Sequence, residues 1–513
     1  MLIKCLMLTV FFAVMIGIGL YCRSHAADVK GFVLGGRSVG PWLTAFAYGT
    51  SYFSAVIFVG YAGQFGWKYG IASTWIGIGN ALIGSMLAWI VLGRRTRIMS
   101  QYLDSATMPE FFGQRFQSRP LKIGASLIIF LFLIPYTASL YNGLSRLFSM
   151  AFSIDYTICI VLMAVFTGIY VIAGGYMATA INDFIQGIIM LIGIAAVIAA
   201  VLCSKGGFMN ALQDLAAVED ASVSSSPGVF ASFFGPDPLS LLSVILLTSL
   251  GTWGLPQMVQ KFYAIRSETA IQTGMIVSTV FALIVAGGCY FLGGFGRLFS
   301  ESIDVAVNGY DSIIPTMLSD LPDVLIALVI ILVLSASMST LSSLVIASSS
   351  TLTIDVIKDN IVADMSEKKQ LTCIRFLIVV FIAVSVVIAI IQYKGNLSFI
   401  AQLMGISWGA LAGSFLAPFL FALYWRKTSL AACWTCFLFG SGVMIANMLF
   451  PQLFPPLLQS PINAGAFVML AGFVIVPVVS LLTPKPDPIF IRHAFSCYEK
   501  KVEAAQKLTL GGK

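Results

Sequence analysis

The chain has 513 residues, of which 58% are hydrophobic and only 10% charged, and its 29 Lys and Arg outnumber 22 Asp and Glu for a formal net charge of +7. Soluble domains average about 25% charged residues, so a chain of this size lacks the polar surface to live in water and reads as an all-α polytopic membrane protein. No nucleophile paired with a base, phosphate-binding glycine loop, metal-ligand cluster or nucleic-acid motif stands out, so the chain does not read as an enzyme.

A window of about 20 residues marks thirteen candidate spans, near 3–22, 41–66, 72–93, 124–149, 156–175, 180–203, 239–257, 271–297, 324–356, 373–392, 397–425, 429–451 and 463–483. The first, in "MLIKCLMLTVFFAVMIGIGLYCRSHAADVK", has two readings. Lys4, the apolar run and "SHA" resemble a cleavable signal, whereas the length of the run and the Arg23 directly after it fit a retained helix with its N-terminus outside, which is the reading taken.

The second span, "AYGTSYFSAVIFVGYAGQFG", is interrupted midway by Gly49, Thr50, Ser51 and Ser54. In the sixth, Asp183 stands about one turn in, flanked by Asn182 and Gln186. An intramembrane carboxylate costs several kcal/mol, about 2.5–3.5 on insertion scales, unless something compensates it. It reads either as an ion-binding group or as an acid favoured by a helix N-terminus. The seventh span, "SLGTWGLPQMVQ", carries Gly251, Gly254 and Pro256, and Pro256 leaves carbonyls near Thr252 without an amide donor.

The ninth contains "LSASMSTLSS", with six hydroxyls in ten residues. On a helix, Ala336, Ser339, Thr340 and Ser343 share one face, and Ser339, Ser342 and Ser343 an adjoining one. Hydroxyls and freed carbonyls are hard, neutral donors suited to a small hard cation, although Ser and Thr also serve as small contact residues between membrane helices. The nine cysteines are scattered; Cys433 and Cys436 have redox or metal spacing, but no second pair exists and packing is the reading preferred. The tail 484–513 is short, basic and amphipathic, suited to the inner membrane surface.

With the N-terminus outside and the C-terminus cytoplasmic, 23 of the 29 Lys and Arg fall in inner loops, Lys261 and Arg266 among them; Lys4, Lys68, Arg146, Lys205, Arg297 and Lys394 fall outside. This bias follows the positive-inside rule and accounts for the net charge with no nucleic acid as partner. The two broken spans begin five helices apart, the mark of an inverted five-helix repeat whose first helices break near the bilayer midplane. The segments 41–203 and 239–425 form the repeats, preceded by a helix at 1–22 and followed by two at 429–483.

Through "FVLGGRSVGPWLTAFAYGTSYFSA", "IAGGYMATAINDFIQG", "QMVQKFYAIRS", "MSTLSS" and "SSSTLTIDVIKD", nearly the full chain resembles the sodium:solute symporter family, which includes proline, pantothenate, sialic acid and sodium/glucose transporters. The resemblance implies a LeuT-like fold in a plasma or bacterial inner membrane, Na⁺ as coupling ion, no other cofactor, and a small organic solute of amino acid, carboxylate, vitamin or sugar class. It implies a first sodium site from the carbonyls of Thr50, Phe53 and Ala336 with the hydroxyls of Ser339 and Thr340. A second, seen in some members, maps onto Asp183, Ser339, Ser342 and Ser343. The polar and aromatic groups placed to face solute are Tyr52, Ser54, Asn80, Tyr136, Thr248, Trp253, Gln257 and Gln402.

The proline transporters' acid in the broken second helix is replaced here by Tyr52, and a tryptophan of their seventh helix aligns with Thr248. Both departures argue against proline. For a tenfold gradient and 100 mV, about 1.4 and about 2.3 kcal/mol per charge, one Na⁺ supports roughly 500-fold accumulation and two roughly 10⁵-fold. A symporter of another family on the same fold, or a transporter-like sensor, are the alternatives; the first would not require the serine run together with Asp183, and the second usually appends signalling domains.

Overall fold

The computed structural model describes residues 2–23, 28–152, 154–224, 226–303, 305, 309–358, 361–362, 365–395 and 400–499. Their regular structure is helical, without a β-strand among them. In chain order the helices are α1 (Leu2–Tyr21), α2 (Val29–Leu34), α3 (Pro41–Tyr52), α4 (Val56–Tyr102), α5 (Met108–Phe116), α6 (Arg119–Phe152), α7 (Tyr156–Ser204), α8 (Phe208–Ala216) and α9 (Pro238–Ser249). They continue as α10 (Pro256–Ala264), α11 (Thr269–Gly293), α12 (Ile313–Leu318), α13 (Asp323–Ile357), α14 (Glu367–Gly395), α15 (Ile400–Tyr424), α16 (Leu430–Leu449), α17 (Pro461–Leu482) and α18 (Pro488–Phe495).

Among the described residues ten helices are long and apolar enough to cross a membrane, or eleven if the bent pair α9–α10 counts as one span. The expectation of thirteen divides α4 and α7 into two spans each. Within both runs a single glycine with positive φ, Gly70 (φ 61°) and Gly175 (φ 56°), turns the backbone through a conformation L-residues avoid, and helical hydrogen bonding resumes beyond it. A Cβ at Gly70 would stand 2.0 Å from the Phe230 carbonyl oxygen, so neither the backbone nor the space there tolerates another residue.

Both mid-span breaks expected from composition are present. Between α3 and α4 the chain extends at Phe53 (φ −89°, ψ 132°). Between α9 and α10 it passes through a 3-10 turn at Leu250–Gly254 and extends at Leu255, and the two parts meet at a bend of 49°. Pro256 opens α10, where its missing amide costs nothing.

The bundle is built around α13. Every residue from Val329 to Thr351 is buried, so its hydroxyls face protein on all sides and none faces lipid. α3, α6, α7 and α14 pack around it. Apolar side chains instead emerge from the outer faces of α1, α7, α14 and α17, for example Leu6, Val161, Phe376 and Val474, as a hydrocarbon solvent requires. α4 and α11 meet along glycines: a Cβ at Gly66 would fall 2.0 Å from the Gly293 oxygen, and one at Gly293 would fall 2.1 Å from the Ala62 oxygen.

Charges sort to the bundle ends. At one end Lys4 binds Asp323 at 2.8 Å and donates to the Ala151 carbonyl at 3.4 Å. At the other, Lys30 pairs with Asp104 (2.9 Å), Arg94 with Glu268 (2.7 Å), and Lys122 with the buried Asp355 (3.2 Å). There Thr107 caps α5 by accepting from the Glu110 amide, and the Glu110 carboxylate reaches back to accept from the amide of Ala106, the residue before the cap. Arg37 fastens this end by donating to the carbonyls of Tyr263 (3.1 Å) and Ser105 (2.6 Å). Lys261 is a correction to the loop tally: it lies within α10 and is 1% exposed. The helix begun by Pro256 carries it into the bundle before the chain reaches the surface.

Candidate ion and solute site

The break after α3 frees backbone oxygens that a continuous helix would bond internally, and α13 supplies the hydroxyls that meet them. Ser339 Oγ donates to the Thr50 carbonyl at 2.9 Å and lies 3.1 Å from the Ala336 carbonyl. Thr340 Oγ1 lies 3.0 Å from the Phe53 oxygen, 3.1 Å from that of Ala336 and 3.4 Å from that of Thr50. The five residues expected at the first site therefore converge on one spot, all buried. Ser337 adds a fixing contact, its hydroxyl accepting from the Ala55 amide at 3.1 Å and so capping the broken end. Five neutral oxygens from two helices, with no carboxylate, meet here, and hard oxygen donors of this kind could hold a small cation.

The second expected group is arranged differently. Asp183 is fully buried, and neither carboxylate oxygen has a hydrogen-bond partner among the described residues. Its neighbours do not supply one: Asn182 and Gln186 turn toward Met15 of α1, donating to its carbonyl (3.4 Å) and sulfur (3.3 Å). The group facing Asp183 is the Lys261 ammonium, 3.9 Å from Oδ2. Lys261 also donates to Ser343 Oγ at 3.0 Å and sits over the Tyr176 ring, 5.0 Å from its centroid. Ser343 and Ser51 exchange a hydrogen bond at 2.8 Å, which joins this group to the residue after Thr50. Ser342 Oγ donates to the Ser339 carbonyl at 2.9 Å, and Ser339 is already engaged at the first group. Sequence reasoning missed Lys261 as a site residue. Its signal was its position, five residues after a helix-starting proline and therefore in mid-helix.

The eight solute-facing candidates separate. Gln257 stands at the second break, 1% exposed, and neither its amide oxygen nor its nitrogen has a partner among the described residues. Buried amides are almost always satisfied, so this side chain keeps both a donor and an acceptor available to a ligand. Ser54 lies at the first break, and the Tyr136 ring packs edge-on against Trp408 at 5.8 Å. Asn80, Thr248 and Trp253 are engaged in joining α4 to α9 and the turn after it. Thr248 donates to Asn80 Oδ1 at 3.0 Å, Ser249 does so at 2.9 Å, and the Trp253 indole donates to the Ile83 carbonyl at 3.0 Å. Gln402 is half-buried near the start of α15. Tyr52 ends α3, and its side chain lies outside the described residues.

At the end marked by Lys4 and Asp323, Arg146 and Asp311 approach to 3.7 Å in the wall of a cavity of about 340 Å³, together with Tyr156 and Tyr393. Asp311 accepts from the Ile400 amide at 3.3 Å. Burial raises its carboxyl above the usual carboxylate range, against the opposing pull of Arg146.

The family model described as "Sodium:solute symporter family" matches residues 32–440. Sodium/proline symporters of Staphylococcus aureus strains JH9 and JH1 are each 29% identical over 495 residues, covering 94% of this chain and 93% of theirs. Among solved structures, a Na⁺-coupled sialic acid symporter in a substrate-bound, outward-open state superposes with a TM-score of 0.75 at 16% identity, covering 94% of this chain and 98% of that one. At that identity the likeness is one of fold.

Proposed function

Because the chain belongs to the sodium:solute symporter family, we propose that it imports a small organic solute of amino acid, carboxylate, vitamin or sugar class with Na⁺ held by Thr50, Phe53, Ala336, Ser339 and Thr340. One observation carries this reading: five oxygens from a broken helix and the buried stretch of α13 converge without any carboxylate. Na⁺ bridging the carbonyls of the break to the hydroxyls of α13 stabilises one arrangement of these helices. Its release into low-sodium cytoplasm favours the other, which is the differential binding that alternating access requires.

The solute is held beside the ion, between the two breaks. Gln257 supplies both a donor and an acceptor there, and Ser54 and Tyr136 are its neighbours in role. The relatives named for proline leave the solute open, because Tyr52 and Thr248 depart from the proline pattern. Dividing α4 at Gly70 and α7 at Gly175 gives thirteen spans, with repeats at 41–203 and 239–425. The Lys4–Asp323 end then faces outside, and the Arg37 and Lys122 end faces the cytoplasm with the tail 484–513. On this orientation Arg146 and Asp311 line the outer mouth.

The test is a screen of purified protein for sodium-dependent thermal stabilisation, followed by uptake into proteoliposomes. Amino acids, short carboxylates, vitamins, sugars and sialic acids are the panel. The expected result is stabilisation by Na⁺ alone and a further rise with one solute that disappears in choline buffer. Stability indifferent to Na⁺, with every solute hit indifferent as well, would overturn the reading.

A further inference from the structure

Asp183 raises a question that the first sodium site does not answer. A fully buried carboxylate needs a compensating charge, and in this chain the compensating charge is already part of the polypeptide. The Lys261 ammonium stands 3.9 Å from Asp183 Oδ2 and bonds Ser343 at 3.0 Å. It thus contacts two members of the Asp183, Ser339, Ser342 and Ser343 group expected to hold a second Na⁺. The other two are turned elsewhere: Ser342 toward the Ser339 carbonyl, Ser339 toward the Thr50 carbonyl.

We propose that the Lys261 ammonium is the resident cation of the Asp183–Ser343 site, a tethered stand-in for a second Na⁺, so that the protein binds a single sodium ion. This rests on the reading of the Thr50–Thr340 group as a sodium site. An ammonium and Na⁺ carry the same charge, and both are satisfied by carboxylate and hydroxyl oxygens. They differ in that the ammonium cannot leave. A Na⁺ entering beside it would meet a like charge within a few ångströms, and a single carboxylate would have to balance two cations.

The fixed cation also has a defined route to the mobile one. Ser343, which accepts from Lys261, is bonded at 2.8 Å to Ser51, the residue after the site-one ligand Thr50. α10, which carries Lys261, begins at the second break, whereas Asp183 and Ser343 belong to α7 and α13. The tether therefore joins the helix following one break to the helices that frame the other.

The experiment counts ions. Full-length purified protein is equilibrated with radioactive Na⁺ at saturating concentration, with no solute present, and bound Na⁺ per chain is measured. The expected values are one for the native protein, one for Lys261→Arg and two for Lys261→Gln, with the gained ion lost again in Lys261→Gln combined with Asp183→Asn. Thr340→Val should weaken the native ion and leave the gained one. Two ions on the native protein would overturn the proposal while leaving sodium coupling intact, and so would a Lys261→Gln protein that melts cooperatively and still binds one. Should Lys261→Gln fail to fold, the native count still decides. No bound Na⁺ on the native protein would overturn the sodium site itself, and this proposal with it.

Discussion

Thr340 offers the sharpest test of the first site, since one hydroxyl there touches three of the proposed carbonyl ligands. Thr340→Val keeps the branched shape and removes the oxygen that lies 3.0 Å from the Phe53 carbonyl and 3.1 Å from that of Ala336. Hydrogen bonds to charged groups contribute about 1.5–3 kcal/mol, and we take one ion–hydroxyl contact to be of that size. At about 1.4 kcal/mol per decade, the half-saturating Na⁺ concentration should rise about 10- to 150-fold. The sodium-free protein should also lose about 1 kcal/mol, the net worth of one neutral hydrogen bond. The readout must therefore be the sodium dependence of the melting temperature at constant ionic strength, with choline replacing Na⁺, not the melting temperature itself. Stabilisation follows RT ln(1 + [Na⁺]/Kd), so the curve should shift along the concentration axis while keeping its shape. Thr340→Ser, which restores the oxygen, should return to within about threefold of native. A Val variant with native half-saturation would refute the assignment of Thr340 as a ligand.

Three further outcomes are expected. Gln257→Leu should weaken solute binding about 10- to 100-fold, the cost of one or two lost polar contacts, with sodium-only stabilisation unchanged; titration of the identified solute by thermal shift checks this, and equal solute affinity would remove Gln257 from the site. Gly70→Ala should cost about 1–3 kcal/mol through the backbone alone, and more through contact with Phe230, read as a fall in melting temperature; an unchanged value would contradict the turn. Asp311 concerns pH: its carboxyl is raised by burial, so the folded state holds its proton longer than the unfolded chain, whose carboxyl titrates near about 3.9. Stability from this group is therefore lost as pH rises from about 4 through the raised value, and Asp311→Asn should flatten that slope while its side-chain oxygen still accepts from Ile400. An identical pH profile in the variant would refute the point.

The meeting of hydroxyls and carbonyls at the first break was legible because two independent signals mark it, a hydroxyl-dense stretch within an apolar span and a polar interruption in a distant helix. Each is local, and their meeting at Thr340 and Phe53 was implied by the family resemblance, not by either signal alone. The breaks at Phe53 and Leu255 were legible for the same reason, through Ser54 and Pro256. The division of α4 and α7 was less so: Gly70 and Gly175 turn the chain without interrupting helical bonding for more than a few residues, so hydropathy separates segments that hydrogen bonding joins. Lys261 was misread because charge rules treat a lysine as a loop marker. A buried carboxylate on another helix reverses that preference, and a pairing across 78 positions of sequence has no local trace. The engagement of Asn80 with Thr248 and Ser249 was hidden likewise, since polarity alone does not say whether a group faces a ligand or a neighbouring helix.

The glycine contact between α4 and α11 carries a mechanical consequence. Where Gly66 and Gly293 meet there are no side chains to act as a compliant layer, and backbone bears directly on backbone. Two rods joined in this way cannot shear past one another by rotamer changes, as helices with interleaved side chains can. The part of α4 beyond the first break and α11 should then travel as one stiff arm. A shift begun at Phe53 would arrive at the far end, where Gly70 abuts Phe230, with little lost to internal give. A single methyl inserted at Gly66 would act as a wedge in that arm, forcing the two backbones apart without touching a ligand.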